Sequence, residues 1–314
     1  MSEELKSVID KELTIAFLVV VHSNPEQVNM FLKQILIYSG SYVYIHVDAK
    51  YLEVIPRLMK NERIVIVPEH FDIKWGDYTQ ILANNYLLRY ASEQREHDYY
   101  SLHSGVDLLI RPVGELVEYL KNSMKYAYCE CTRLPSGWQY GGGFGRIALK
   151  WPKCFRKRLG RNSPMRYLRS IYGRLYGKGI IRGSKLPEQY QYYGGADWFT
   201  IRNDCVEKLL AFVDKESEFE ALFVDSLSGA EIYYVSIIQM TKGDNPMDDQ
   251  NMLRYIDWNN RGQTLTVGSP NTCTMDFLED IESSGAFFSR KFDTRVDAKI
   301  IDYFMKKTGV HHIS

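Results

Sequence analysis

Apolar residues recur along this chain in two periods. Ile15-Ala16-Phe17-Leu18-Val19-Val20-Val21 is an unbroken run rich in β-branched residues, as in a strand buried on both faces. The next stretch, His22-Ser23-Asn24-Pro25-Glu26, ends it: Asn24 suits a helix N-cap and Pro25 the first helical position. Residues 28–38 then carry apolar side chains at helical spacing, and residues 42–48 form a second strand closed by Asp48. The same reading predicts strands at 64–67, 99–104 and 126–131, and helices at 79–92 and 113–121. Strands alternating with helices predict an α/β fold with a mostly parallel central sheet flanked by helices. In such sheets ligands bind at the carboxyl ends of the strands, where Asp48 falls.

A second organising stretch is Tyr193-Gly194-Gly195-Ala196-Asp197-Trp198-Phe199-Thr200-Ile201. Trp198 to Ile201 has strand propensity, and Asp197 stands at its mouth. Glu231 opens another apolar run, Ile232 to Ile238. Two carboxylates set in apolar surroundings suit general acid/base chemistry. The same residues would equally serve as a turn cap at Asp197 and a helix start at Glu231. The paired glycines leave room for a ligand beside the acid.

Candidate chemistry is narrowed by what is missing. Neither G-x-G-x-x-G nor G-x-x-x-x-G-K-[ST] occurs, which argues against dinucleotide-binding and P-loop enzymes, and residues 141–145 read as a loop rather than a phosphate cradle. After Asp48 comes Ala49-Lys50 rather than a second acid. One carboxylate beside a lysine is a poor divalent-metal site, so no metal and no cofactor is expected. The five cysteines form no C-x-x-C pair, which suits a reducing compartment. No signal peptide or anchor is read, so the expected location is cytoplasmic.

The 39 basic and 39 acidic residues balance over the chain but are not evenly spread. Residues 146–185 hold thirteen Lys/Arg and no Asp or Glu. Such a segment attracts anions. Its readings are peripheral contact with a membrane face, an anionic acceptor, or a basic face shielding the sheet. No nucleic-acid motif accompanies it, so nucleic acid is not expected as a partner.

Several stretches together resemble the core-2/I-branching β-1,6-N-acetylglucosaminyltransferases and peptide O-xylosyltransferases of glycosyltransferase family 14. They are Val20-Val21-His22, Ile45-His46-Val47-Asp48-Ala49-Lys50, Ile73-Lys74-Trp75-Gly76-Asp77, residues 102–110, Gly194-Gly195-Ala196-Asp197-Trp198-Phe199, Ala230-Glu231-Ile232, residues 253–258 and Phe287-Phe288-Ser289-Arg290-Lys291-Phe292-Asp293. Their order and spacing carry the resemblance from about residue 15 to 304. It implies a GT-A-like fold, a UDP-sugar donor, inversion at the anomeric carbon and no metal requirement. Residues 13–314 then form one glycosyltransferase domain: a nucleotide-sugar-binding half (13–135), a basic insertion facing acceptor or membrane (136–190), and a catalytic and diphosphate-binding half (191–314).

Carried over by position, the resemblance places Val20 and Asp48 at the uridine and Lys74 and Trp75 along the donor pocket. Arg290 and Lys291 fall at the diphosphate. Glu231 matches the base of the N-acetylglucosaminyl branch and Asp197 that of the xylosyl branch, with Glu231 slightly favoured. Asp107, Trp198 and Trp258 are candidates for acceptor or sugar contact. A further diphosphate-binding Arg of the N-acetylglucosaminyl branch has no counterpart in residues 262–274, leaving Arg261 or Arg290 as substitutes. The expected activity is metal-independent, inverting transfer of a sugar, N-acetylglucosamine first and xylose second, from a UDP-sugar to a glycan hydroxyl. A lipid-diphosphate-linked glycan is one form of that acceptor. The alternative of another class is a non-catalytic nucleotide- or carbohydrate-binding protein.

Overall fold

The structure, a computed structural model, describes residues 12–160, 162–258 and 270–310. Strand β1 (Ile15–Val21) leads into helix α1 (Pro25–Ile35), whose first turn is closed by the Asn24 side chain accepting from the Gln27 amide. Then follow β2 (Ser41–Val47), β3 (Ile64–Ile66), α2 (Thr79–Gln94), β4 (Tyr99–Ser104), β5 (Asp107–Leu109), α3 (Val113–Ser123), β6 (Ala127–Cys129) and β7 (Thr132–Arg133). After the basic stretch and its helix α4 (Pro164–Gly177) come β8 (Tyr193–Gly194), β9 (Phe199–Arg202), α5 (Asn203–Lys215), α6 (Ala230–Thr241), β10 (Arg254–Ile256), β11 (Phe288–Arg290) and α7 (Ala298–Lys307).

The central sheet runs β3-β2-β1-β4-β9-β6. Its first four strands are parallel, while β9 is antiparallel to both β4 and β6. The expected α/β architecture with a mostly parallel sheet is thus the one found. The unbroken apolar run of β1 has a plain cause. Ile15, Phe17, Val19 and Val21 enter one core with α1, α3 and α7, while Ala16 and Leu18 enter another with α2, α5 and α6. Alternate side chains point to opposite faces, so a strand covered on both sides must be apolar throughout.

A three-stranded sheet, β10-β11-β5, joins the first core, with β5 and β11 antiparallel in register Asp107↔Arg290. The basic stretch has a small core of its own, Leu149, Trp151 and Phe155 with Tyr140, Tyr172 and Tyr176. The glycines at 141–143 have positive φ and fold a tight turn against Tyr176, Pro135 and Leu134. That turn is packed rather than a free loop.

Candidate active site

The strand directions bring the candidate residues to one rim. His22 follows β1, Asp48 follows β2, and Ser104 ends β4 with Gly105 after it, all at carboxyl ends of parallel strands. Because β9 runs antiparallel, the residues that enter it, Asp197 and Trp198, lie at this same rim. Arg290 closes β11 opposite Asp107, and Lys291 follows. Glu231 stands in the first turn of α6, where the helix dipole favours a carboxylate.

Gln80 Nε2 donates to Asp197 Oδ2 at 2.7 Å, while the buried Oδ1 has no hydrogen-bond partner among the described residues. Burial pushes the Asp197 pKa up to about 7, the nearby Glu231 charge adds to the rise, and the Gln80 bond with the Arg290 and Arg146 charges opposes it. An enclosed carboxyl near neutral pKa is poised to exchange a proton.

Glu231 is differently placed. Its carboxylate is about one-third exposed and pairs with Arg146, whose guanidinium lies 4.3 Å from the centre of the Trp138 ring. Its backbone carbonyl accepts from Gly195 N at 2.9 Å, tying α6 to the Asp197 loop. The glycine pair serves this packing rather than space for a ligand. A Cβ on Gly195 would stand 1.8 Å from the Glu130 carbonyl oxygen, and one on Gly194 would meet the Trp138 ring at 2.7 Å.

Beneath Trp198 lies a buried charge cluster. Asp107 Oδ2 is 3.2 Å from Arg254 Nη2, and its Oδ1 is 3.4 Å from Arg290 Nε. Ser104 Oγ also donates to Asp107 Oδ1, at 2.8 Å. Burial alone would raise the Asp107 pKa, but the Arg254 and Arg290 charges outweigh it and hold the carboxylate ionised. Burial lowers the His103 pKa to about 4, so its ring is neutral, and Arg254 Nη2 is 2.7 Å from Nδ1. The Trp198 indole covers both guanidinium groups, 3.9 Å from Arg290 and 5.0 Å from Arg254. These contacts fix the Arg290 guanidinium as a preorganised cation. They also correct the reading of Asp107 as a ligand contact: it is fully buried with its oxygens engaged, so it positions Arg290.

Lys291 continues this positive field. Burial lowers its pKa to about 8, helped by the Arg290 and Arg158 charges. His22 feels Asp48, Arg290, Lys291 and Arg158, and burial lowers its pKa. Among the described residues no carboxylate pairs with Lys291 or Arg158. Buried Phe288 and Phe292 flank the basic pair and fix its backbone.

At the far end of the rim, Asp48 caps the helical turn after β2 and is bridged by Lys50 Nζ at 2.7 Å from Oδ1 and 2.8 Å from Oδ2. Lys50 also reaches Asp72 at 2.6 Å, and Lys74 lies 3.6 Å from Asp72. Trp75 faces the Arg169 guanidinium at 5.5 Å. Val20 pairs with His46 and Ser104 on its neighbouring strands. Trp258 stands apart, 58% exposed, in the wall of a cavity of about 500 Å³ that meets the site at Arg254. Arg261 lies outside the described residues.

A family model described as Core-2/I-Branching enzyme matches residues 15–282. The chain belongs to the Core-2/I-branching enzyme family. Glycosyl transfer is the chemistry of that family. Among solved structures, the chain is similar to mouse xyloside xylosyltransferase 1, at 8% identity and a TM-score of 0.36, covering 88% of this chain and 97% of that one. A Bacillus anthracis protein described as a glucose-1-phosphate thymidylyltransferase, bound to sucrose, gives 8% identity and 0.36 over 75% and 86%. Similarity this low adds no weight to the family assignment. No curated protein sequence matches.

Four residues that the sequence did not single out join this candidate site: Gln80, Arg146, Arg158 and Arg254. Arg254 sits in one of the resembling stretches, and its isolation among apolar neighbours was the available signal. Two of the others, Arg146 and Arg158, were visible only as part of a run of basic residues. That run is not one exposed face, since Arg156 is buried against Asp77 at 3.2 Å and Asp225 at 3.1 Å.

Proposed function

We propose that this protein is an inverting glycosyltransferase that moves a sugar, N-acetylglucosamine as first choice, from UDP to a glycan hydroxyl. Lipid-diphosphate-linked glycans are the acceptor class that suits its basic insertion. The observation that carries this reading is the placement of Asp197, its pKa pushed up by burial to about 7, on the same rim as the cations Arg290 and Lys291.

In the proposed displacement the acceptor oxygen attacks the anomeric carbon and its proton passes to the Asp197 carboxylate. As the new C–O bond forms, the bond from the anomeric carbon to the diphosphate oxygen breaks, and UDP leaves with the electron pair. A carboxylate with pKa near 7 is a stronger base than an ordinary aspartate yet remains partly ionised at neutral pH. Negative charge growing on the diphosphate is met by Arg290, as a planar fork, and by Lys291, with Arg158 adding charge from the insertion. Such preorganised donors carry a large share of catalysis in sites of this kind. Glu231, paired with Arg146, orients the acceptor and raises the basicity of Asp197. These cations take the part a divalent metal plays elsewhere, so none is required.

A panel of UDP-sugars incubated with the enzyme and EDTA tests this directly. Slow hydrolysis of UDP-N-acetylglucosamine, unaffected by chelator, is the expected result. Hydrolysis of UDP-xylose alone would reassign the donor. Activity that vanishes with EDTA and returns with Mn²⁺ would overturn the metal-free reading, and an absence of turnover with every donor would favour a binding protein.

A further inference from the structure

Helix α4 is apolar on two sides. Its inner side packs Met165, Tyr172 and Tyr176 against Trp151 and Phe155. Its outer side presents Tyr167, Leu168 and Ile171, which are 62%, 51% and 51% exposed, and Ile180 just beyond the helix is 66% exposed. Positions 167, 168, 171, 174 and 178 follow three- and four-residue spacing, so they share one stripe. Arg174 and Lys178, both exposed, continue that stripe towards its end. Four large apolar side chains open to solvent thus fall within fourteen residues of chain, in a segment with thirteen basic residues and no acidic one.

Scattered exposed apolar residues need no explanation, but a contiguous group does. Its basic setting calls for an anionic partner, and its leucine, isoleucines and tyrosine call for one with an apolar interior. A soluble polyanion satisfies only the first demand, whereas the surface of an anionic bilayer satisfies both. We propose that the outer stripe of α4 lies on an anionic lipid membrane. Tyr167, Leu168, Ile171 and Ile180 enter the headgroup layer, and Arg174 and Lys178 pair with lipid phosphates. The inner side of the same helix places Arg169 over Trp75, so the helix that docks lies between the membrane and Trp75. Its relevance to a membrane-held acceptor rests on the glycosyl-transfer reading, but the binding itself does not.

The test is sedimentation of the full chain with vesicles of phosphatidylcholine alone or mixed with phosphatidylglycerol. Retention on the mixed vesicles only, weakening as salt rises, is expected. Leu168→Glu with Ile171→Glu should lower retention at least about tenfold, since two buried aliphatic side chains become charged. Arg174→Gln with Lys178→Gln should lower it about fivefold per charge removed. Failure of the wild type to bind mixed vesicles at low salt overturns the proposal. So does unchanged retention of the Leu168→Glu/Ile171→Glu protein, and if polyphosphate then competes, the surface belongs to a soluble polyanion. Donor hydrolysis is measured alongside: vesicle retention without hydrolysis in the wild type would sink the enzymatic reading and leave the membrane surface standing, while hydrolysis without retention would do the reverse.

Discussion

Asp197 and Glu231 reach the same cleft from differently built regions. Asp197 enters a strand of the central sheet, and its surroundings, Gln80 from α2 and Trp198 with its covered guanidinium groups, belong to the packed body. Glu231 starts a helix, and its ion partner Arg146 comes from the basic stretch. The first acid is enclosed and tuned; the second is open and charge-paired. The difference teaches how two carboxyl groups can share one site without sharing one role. Burial and a like charge push Asp197 towards proton exchange, while pairing with a guanidinium suits Glu231 to hold a polar ligand.

The harshest test of that division is substitution of each acid in turn. Asp197→Asn keeps the shape and removes the proton acceptor, so the transfer rate should fall about 10²- to 10⁴-fold, with UDP affinity unchanged by calorimetry. If Glu231→Gln shows that loss and Asp197→Asn does not, the assignment of roles is reversed. Stability supplies the control. The Asp197 pKa is raised in the folded state, so between roughly pH 4 and pH 7 the native protein binds more protons than the unfolded chain. The group therefore favours folding at low pH, and this contribution is lost as pH rises through about 7. Asp197→Asn should accordingly melt higher than wild type at pH 8 and gain less at pH 5. An inactive variant with that pattern is folded.

The pH dependence of wild-type transfer probes the same contrast. With Asp197 as base and a pKa of about 7, kcat/KM should fall about tenfold per pH unit below neutrality. A profile flat down to about pH 5 would mean the working base has an ordinary carboxylate pKa. The basic stretch can be probed separately through Arg158→Gln. This variant removes one charge from the field around Lys291 and His22 without disturbing Arg290. Its expected cost is about tenfold in rate, less than a fixed, buried donor would cost. No effect on rate or UDP affinity would confine the diphosphate site to the body.

How much of this was legible in the sequence follows from the range of the interactions. The run from Ile15 to Val21 announced a strand covered on both faces because each residue enters a core. Asn24 and Pro25 announced a helix start because capping acts within one turn. Asp197, Glu231, Arg290 and Lys291 were all named, and the fold brings them to one rim or its immediate border. What stayed hidden was pairing over distance. Asp107 read as a ligand contact because nothing near it in sequence shows that Arg254 and Arg290 will enclose it. The glycines at 194 and 195 read as space for a ligand because the Glu130 carbonyl and the Trp138 ring they admit come from elsewhere in the chain. The reversal of β9, which carries Asp197 to the rim, is likewise set by tertiary packing rather than by local propensity.

The finest distinction between the two acids lies in how each feels the other. The Glu231 charge is the second cause of the raised Asp197 pKa, after burial. Glu231→Gln should therefore stay active, losing no more than about tenfold, because the amide still offers a hydrogen bond to a ligand. Its clearer effect should be on the acidic limb of kcat/KM, which should move to lower pH once the neighbouring charge is gone. Burial remains, so the limb should stop well above that of a free aspartate. In the wild type the limb carries the effect of the Glu231 charge on Asp197, and in the variant that effect is removed. An unmoved limb would mean that the Arg146 pairing already screens Glu231 from Asp197, and Arg146→Gln should then raise the limb by restoring the repulsion.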